Sequence, residues 1–158
     1  MMQPGLDVQQ AMLATLASRS SLIALLGGAY IFDEIPHGIT APNVVFTTIE
    51  TRDWSVADQK AHESFITLEI KSKSRSRIQV QNIIQEIESA LDGTALTLVD
   101  NNLINLRCVF ISAALPKLRQ LASAERSKLN SASASAREKS NQLFMATIRF
   151  RAATEPKS

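Results

Sequence analysis

Cysteine, glycine and aromatic residues are all scarce in this chain. The single cysteine, Cys108, among 158 residues excludes an intramolecular disulfide framework and fits a reducing compartment. The five glycines are scattered apart from Gly27-Gly28, so they form no phosphate-cradling loop. Aromatic residues make up 5% of the chain and do not interleave with basic ones, which removes the stacking platform of single-stranded nucleic-acid readers. Apolar runs last a few residues, far short of the ~20 that a membrane-spanning helix needs. The opening stretch MMQPGLDVQQ has neither a basic nor an apolar leader segment, so no signal peptide is expected and the chain is expected in the cytoplasm where it is made.

Catalytic chemistry is equally sparse. His37 and His62 stand far apart, with no cysteine or carboxylate at metal-ligand spacing, so no metal site is expected. Asp33 and Glu34 are adjacent, and adjacent strand residues point to opposite faces. Asp53 beside Trp54 reads as a loop cap. Cys108 alternates with Leu106 and Phe110, a pattern for a buried, inert thiol. No base, nucleophile and oxyanion stabiliser come together, and the expectation is a protein that is not an enzyme and needs no cofactor.

What the chain does have is regular patterning. Asp7 and Gln10 have capping-box spacing before a helix carrying Val8, Met12 and Leu16, with Leu13 on its flank. A short helical turn, Leu22 to Leu26, is closed by Gly27-Gly28. Tyr30–Phe32 and Asn43–Glu50 read as strands separated by a turn that Pro36, Gly38 and Pro42 constrain. Thr51 to Ser55 reads as a polar connection, with Trp54 folded back over apolar surface. His62–Ser72 alternates Ile66, Leu68 and Ile70 with Thr67, Glu69 and Lys71.

A helix from Ser74 or Ser76 to Leu91 then places Val80, Ile83, Ile84, Ile87 and Leu91 on one stripe, closed by Asp92-Gly93. Strands follow from about Leu103 to Ala114, with Leu106, Cys108 and Phe110 on one face, and from Leu143 to Ala153. The order predicts an α+β fold: a largely antiparallel sheet of about five strands with two main helices packed on one face.

The chain reads as a single domain over residues 1–158. Within it, residues 116–142 fit no hairpin template, since such loops usually run ~2–5 residues. This segment contains the low-complexity run SASASA at 131–136 and reads as an extended basic Ser/Ala-rich arm. Its basic residues are Lys117, Arg119, Arg126, Lys128, Arg137 and Lys139, against Glu125 and Glu138. A second cluster, Lys71, Lys73, Arg75 and Arg77, falls where a strand gives way to a helix. Both are candidate contacts to a protein partner or to DNA phosphates, although either could be solvated surface.

Tyr30-Ile31-Phe32-Asp33-Glu34-Ile35-Pro36-His37-Gly38, followed by Ala41-Pro42-Asn43-Val44-Val45, resembles the signature of the phage tail terminator, or tail completion (head–tail joining), family of siphophage-like tails and gene transfer agents. Leu25-Leu26-Gly27-Gly28 upstream, Asp53-Trp54-Ser55, and the closing Ile148-Arg149-Phe150-Arg151-Ala152-Ala153-Thr154-Glu155 fit the same pattern in order and spacing. Asn43 stands where that family usually has tyrosine, and the 116–142 arm replaces a short turn.

The resemblance implies a structural virion protein, assembled in the host cytoplasm and sited at the head–tail junction. It would form a homo-oligomeric ring, a hexamer, that caps the head-proximal end of the tail tube. Its partners would be the tube protein and a neck or head–tail connector protein, with DNA passing through the lumen without sequence-specific binding and no membrane involved. The alternative from the residues alone is a small nucleic-acid-associated module that uses the basic segments on phosphates.

Overall fold

The computed structural model describes residues 2–34, 41–72, 77–114 and 144–157. Helices α1 (Pro4–Ala17) and α2 (Ser20–Leu26) precede strands β1 (Ile31–Phe32), β2 (Asn43–Asp53) and β3 (His62–Lys71). Helix α3 (Arg77–Leu91) then leads into strands β4 (Asn101–Ala114) and β5 (Met145–Pro156). The strands form one sheet in the order β1-β2-β3-β5-β4. Every pairing is antiparallel except β1 with β2, which is parallel. This is the expected α+β architecture, with a mixed sheet and three helices.

The core forms where the two periodicities meet. On α3 the stripe Val80, Ile83, Ile84, Ile87 and Leu91 is buried as its spacing predicts. On the sheet, Val44, Phe46, Ile66, Leu68, Ile70, Ala146, Ile148 and Phe150 line the facing side. Val8, Met12 and Leu16 of α1 and Leu22 and Leu26 of α2 complete the same cluster, so the helices share one face of the sheet. Each such aliphatic side chain contributes about 1.5–3 kcal/mol relative to exposure. Arg19, at the N-cap of α2, and Ser21 both donate to the Glu86 carboxylate and so hold α2 against α3. The Arg19 and Ser21 hydrogen bonds lower the Glu86 pKa from its ordinary value.

Helix termini follow local chemistry at two glycines. Gly27 and Gly93 have φ of +78° and +72°, the left-handed conformation that ends a helix without a Cβ penalty. The start of α1 departs from expectation. Pro4 occupies the first helical position and Gln3 the N-cap, so Asp7 is not a cap. Its carboxylate instead reaches across the fold to the segment before β4. There it accepts hydrogen bonds from Val99 N, Asp100 N, Asn101 N and Asn101 Nδ2, all at 2.9–3.0 Å.

Other expectations shift by a few residues or by one face. Thr51, Arg52 and Asp53 belong to β2, not to a connection, because their register with β3 continues to Asp53–His62. Asp53 Oδ1 does cap the loop beyond by accepting from Ser55 N, and the Ser55 bonds lower its pKa. Strand β5 continues past Ala153 to Pro156.

In β4 the ladder is interrupted between Leu103 and Asn105 and again between Cys108 and Phe110. The second bulge moves Phe110 off the face it was expected to share with Leu106 and Cys108. Cys108 is half-buried, not fully enclosed, and burial first, then Glu88 and Asp92, push its thiol pKa up. Residues 35–40 and the arm from 115 to 143 lie outside the described residues.

Candidate assembly surface

With all the helices on one side, the opposite face of the sheet has no second layer among the described residues. The strand alternation decides which side chains it presents. In the central strands these are Glu50 and Arg52 of β2, Glu63 and Phe65 of β3, and Arg149 and Arg151 of β5, with Glu50, Phe65 and Arg151 in one register row, Arg52 opposite Glu63, and Arg149 opposite Thr67. Strand β4 adds Arg107, opposite Arg151, and the displaced Phe110, opposite Arg149.

These residues organise around Phe65. The guanidinium of Arg52 lies 4.9 Å from the centre of its ring and that of Arg149 lies 4.7 Å away. A cation on an aromatic face is attracted by the ring quadrupole, by about 0.5–1 kcal/mol at exposed sites. Glu63 then bridges two strands, receiving Arg151 at 2.7 Å and Arg52 at 3.2 Å. Arg149 also pairs with Glu50 at 3.4 Å, while its Nε is buried without a partner.

Trp54, just beyond β2, is 45% exposed. It was expected to fold over apolar surface. It instead packs beneath the Arg151 guanidinium at 5.0 Å, so its face is covered by a cation. Arg52, Phe65, Val109, Phe110 and Arg149 line a shallow groove of about 370 Å³ towards the β4 edge. Such a surface suits contact with another macromolecule through aromatic and arginine anchors. Among the described residues no group of three or more histidine, cysteine or acidic side chains could hold a metal.

Of the residues singled out from the sequence, Lys71 ends β3, half-buried and in register with Met145. Arg77 opens α3 with its guanidinium 5.2 Å from the Phe144 ring, so both flank the start of β5. Lys73 and Arg75 lie outside the described residues, as do Lys117, Arg119, Arg126, Lys128, Arg137 and Lys139. The Arg52–Phe65–Arg149 stack was not anticipated as a site. Its signal was present in the alternation of Arg149 and Arg151 with Ile148 and Phe150, which places two arginines on the face away from the core.

Comparison with known proteins yields two findings. A family model described as "Tail completion protein gp17" matches residues 10–114. Among solved structures, a chain of the "Virion of native gene transfer agent (GTA) particle" superposes with a TM-score of 0.73. The two chains share 17% sequence identity, and the likeness covers 94% of this chain and 95% of that one. No curated protein sequence matches.

Proposed function

The chain belongs to the tail completion protein gp17 family, and from that membership we propose that it is a structural tail terminator. In this reading it closes into a ring, a hexamer, on the head-proximal end of the tail tube. The ring joins the tube to a neck or connector protein and leaves a lumen through which DNA passes. The match over residues 10–114 carries the reading, since it spans α2 through β4 and most of α1.

The geometry supports it in two ways. The sheet has two different ends, a β1/β2 edge and a β4 edge, and unlike edges permit a head-to-tail contact, the kind that closes into a ring when its rotation allows. The bare face with its arginine–aromatic stack then offers a second surface to a tube or neck partner while the helical layer holds the fold. The role is architectural and involves no catalytic step.

Light scattering after gel filtration, followed by negative-stain microscopy with and without tail tubes, tests this proposal. A ring near six subunits, or density at the head-proximal tube end, is the expected result. A stable monomer that never associates with tubes and binds DNA in a salt-sensitive way would overturn it.

A further inference from the structure

Strand β1 covers Val44 and Val45 of β2 and no more. Beyond it the outward edge of β2 runs on to Asp53. Trp54 donates its N–H to Ala61 across the hairpin, so the antiparallel alternation turns the backbone groups of Ile49, Thr51 and Asp53 away from β3. Among the described residues no backbone group meets them.

A cleft of about 330 Å³ adjoins this edge, lined by Leu6, Gln9, Asp33, Glu34 and residues 46–49. Gln9 is 1% exposed, yet neither its Nε2 nor its Oε1 has a hydrogen-bond partner. A buried amide left with a free donor and a free acceptor costs stability, and another peptide group supplies the complement of both.

The far edge of the sheet is closed along part of its length. Gly93 N donates to Leu106 O and Cys108 N donates to Asp92 Oδ1, which occupies the outward groups of β4 at those residues. Past the bulge at Val109, outward parity resumes at Ile111 and Ala113, where no such cover exists among the described residues. Val109, Phe110 and Ile111 there are 48%, 52% and 40% exposed.

Resting on the ring reading above, we infer that the β4 end of one copy, Phe110–Ala114, adds to the open β2 edge, Ile49–Asp53, of the next, with Gln9 pairing to the incoming backbone. Two properties of the two edges fit each other. Successive antiparallel pairings leave β4 running opposite to β2, so a neighbouring copy presents β4 in the antiparallel sense without inversion. The outward-facing residues at both edges, Ile49 on β2 and Ile111 on β4, are in register with core residues Ile66 and Ile148, so both side chains fall on the helix side of the joined sheet. Exposed strand edges are ready templates for such addition.

Single-cysteine variants in the Cys108→Ser background test the pairing. Ile49→Cys and Ala113→Cys protein, whose side chains lie opposite one another when Ile49–Arg52 pairs with Phe110–Ala113, mixed and treated with copper phenanthroline, should give a two-chain adduct about tenfold above that of either variant alone. Phe110→Glu should weaken assembly by about tenfold or more. Gln9→Met should leave the isolated fold at least as stable yet weaken assembly, which a glutamine serving the monomer alone would not do.

Rings visible by microscopy without the mixed adduct, or with each variant linking equally to itself, would overturn the edge pairing and leave the ring standing. Failure to form any ring or adduct at all would overturn both.

Discussion

Asp7 and Asn101 lie 94 residues apart and meet at 2.9 Å through Asp7 Oδ2 and Asn101 Nδ2. With the three backbone N–H groups of residues 99–101, this bond fastens the first turn of α1 to the start of β4. Removing the acceptor leaves buried donors unpaired, so Asp7→Ala is expected to destabilise the fold by about 2–4 kcal/mol, read by denaturant unfolding. Burial alone would raise the Asp7 pKa, but the bonds from Asn101, Val99 and Asp100 outweigh it and hold the pKa below 3.8. A carboxyl with a depressed folded pKa stabilises fully above its unfolded value and loses that contribution as pH falls through the folded one. Stability should therefore drop below about pH 4 in the native chain, and Asp7→Asn should flatten that part of the profile.

Gly5 is needed for space and not for backbone freedom. A Cβ there would stand 2.5 Å from Ile49 Cγ2 and 2.6 Å from Thr51 Oγ1, so α1 could not lie this close to β2. Gly5→Ala improves helix propensity by about 1 kcal/mol. It is still expected to lower the melting temperature, because overpacking costs about 1–3 kcal/mol.

Ile87 sits mid-stripe on α3 with no exposure. Ile87→Ala removes its methyl groups and leaves a cavity, for an expected loss of about 2–5 kcal/mol in equilibrium unfolding. A loss under 1 kcal/mol, by contrast, would show that the helical layer is loosely packed.

Charge reversal on the bare face separates stability from assembly. The double variant Arg52→Glu and Arg149→Glu breaks ion pairs worth about 0–1 kcal/mol each and the two cation–π contacts to Phe65 worth about 0.5–1 kcal/mol each, so it should still unfold cooperatively with a loss of about 1–4 kcal/mol. Tail joining, scored by microscopy of completed particles, is expected to fail. Normal joining would show that this face has no partner.

Deleting residues 122–136 should leave the fold intact and impair joining of tail to neck. Ala114 and Met145, which flank the arm, are already register partners, so β4 and β5 can pair without it. A deletion variant with no cooperative unfolding transition would count against this division of labour.

Periodic segments were legible in the sequence wherever one face is buried throughout. The α3 stripe and the alternation of β3 and of Phe144–Phe150 are such cases, because burial imposes the period directly. Phe110 was misplaced because a single-residue bulge changes the phase without changing composition. The parallel pairing of β1 with β2 depends on how the chain crosses between them, which local propensity does not encode. Asp7 matched a capping box by spacing, yet Pro4 was the better marker of where α1 begins. The Phe65 stack joins residues from three strands, and such a site becomes visible when register is known.

Phe65, held between Arg52 and Arg149, ties β2 to β5 across the strand that separates them. That lateral brace links the strands on the side of the sheet that no helix covers among the described residues. In the ring proposed above, the wall would be one sheet and one helical layer thick over the described residues. For a given outer girth, such a wall would leave a wider bore.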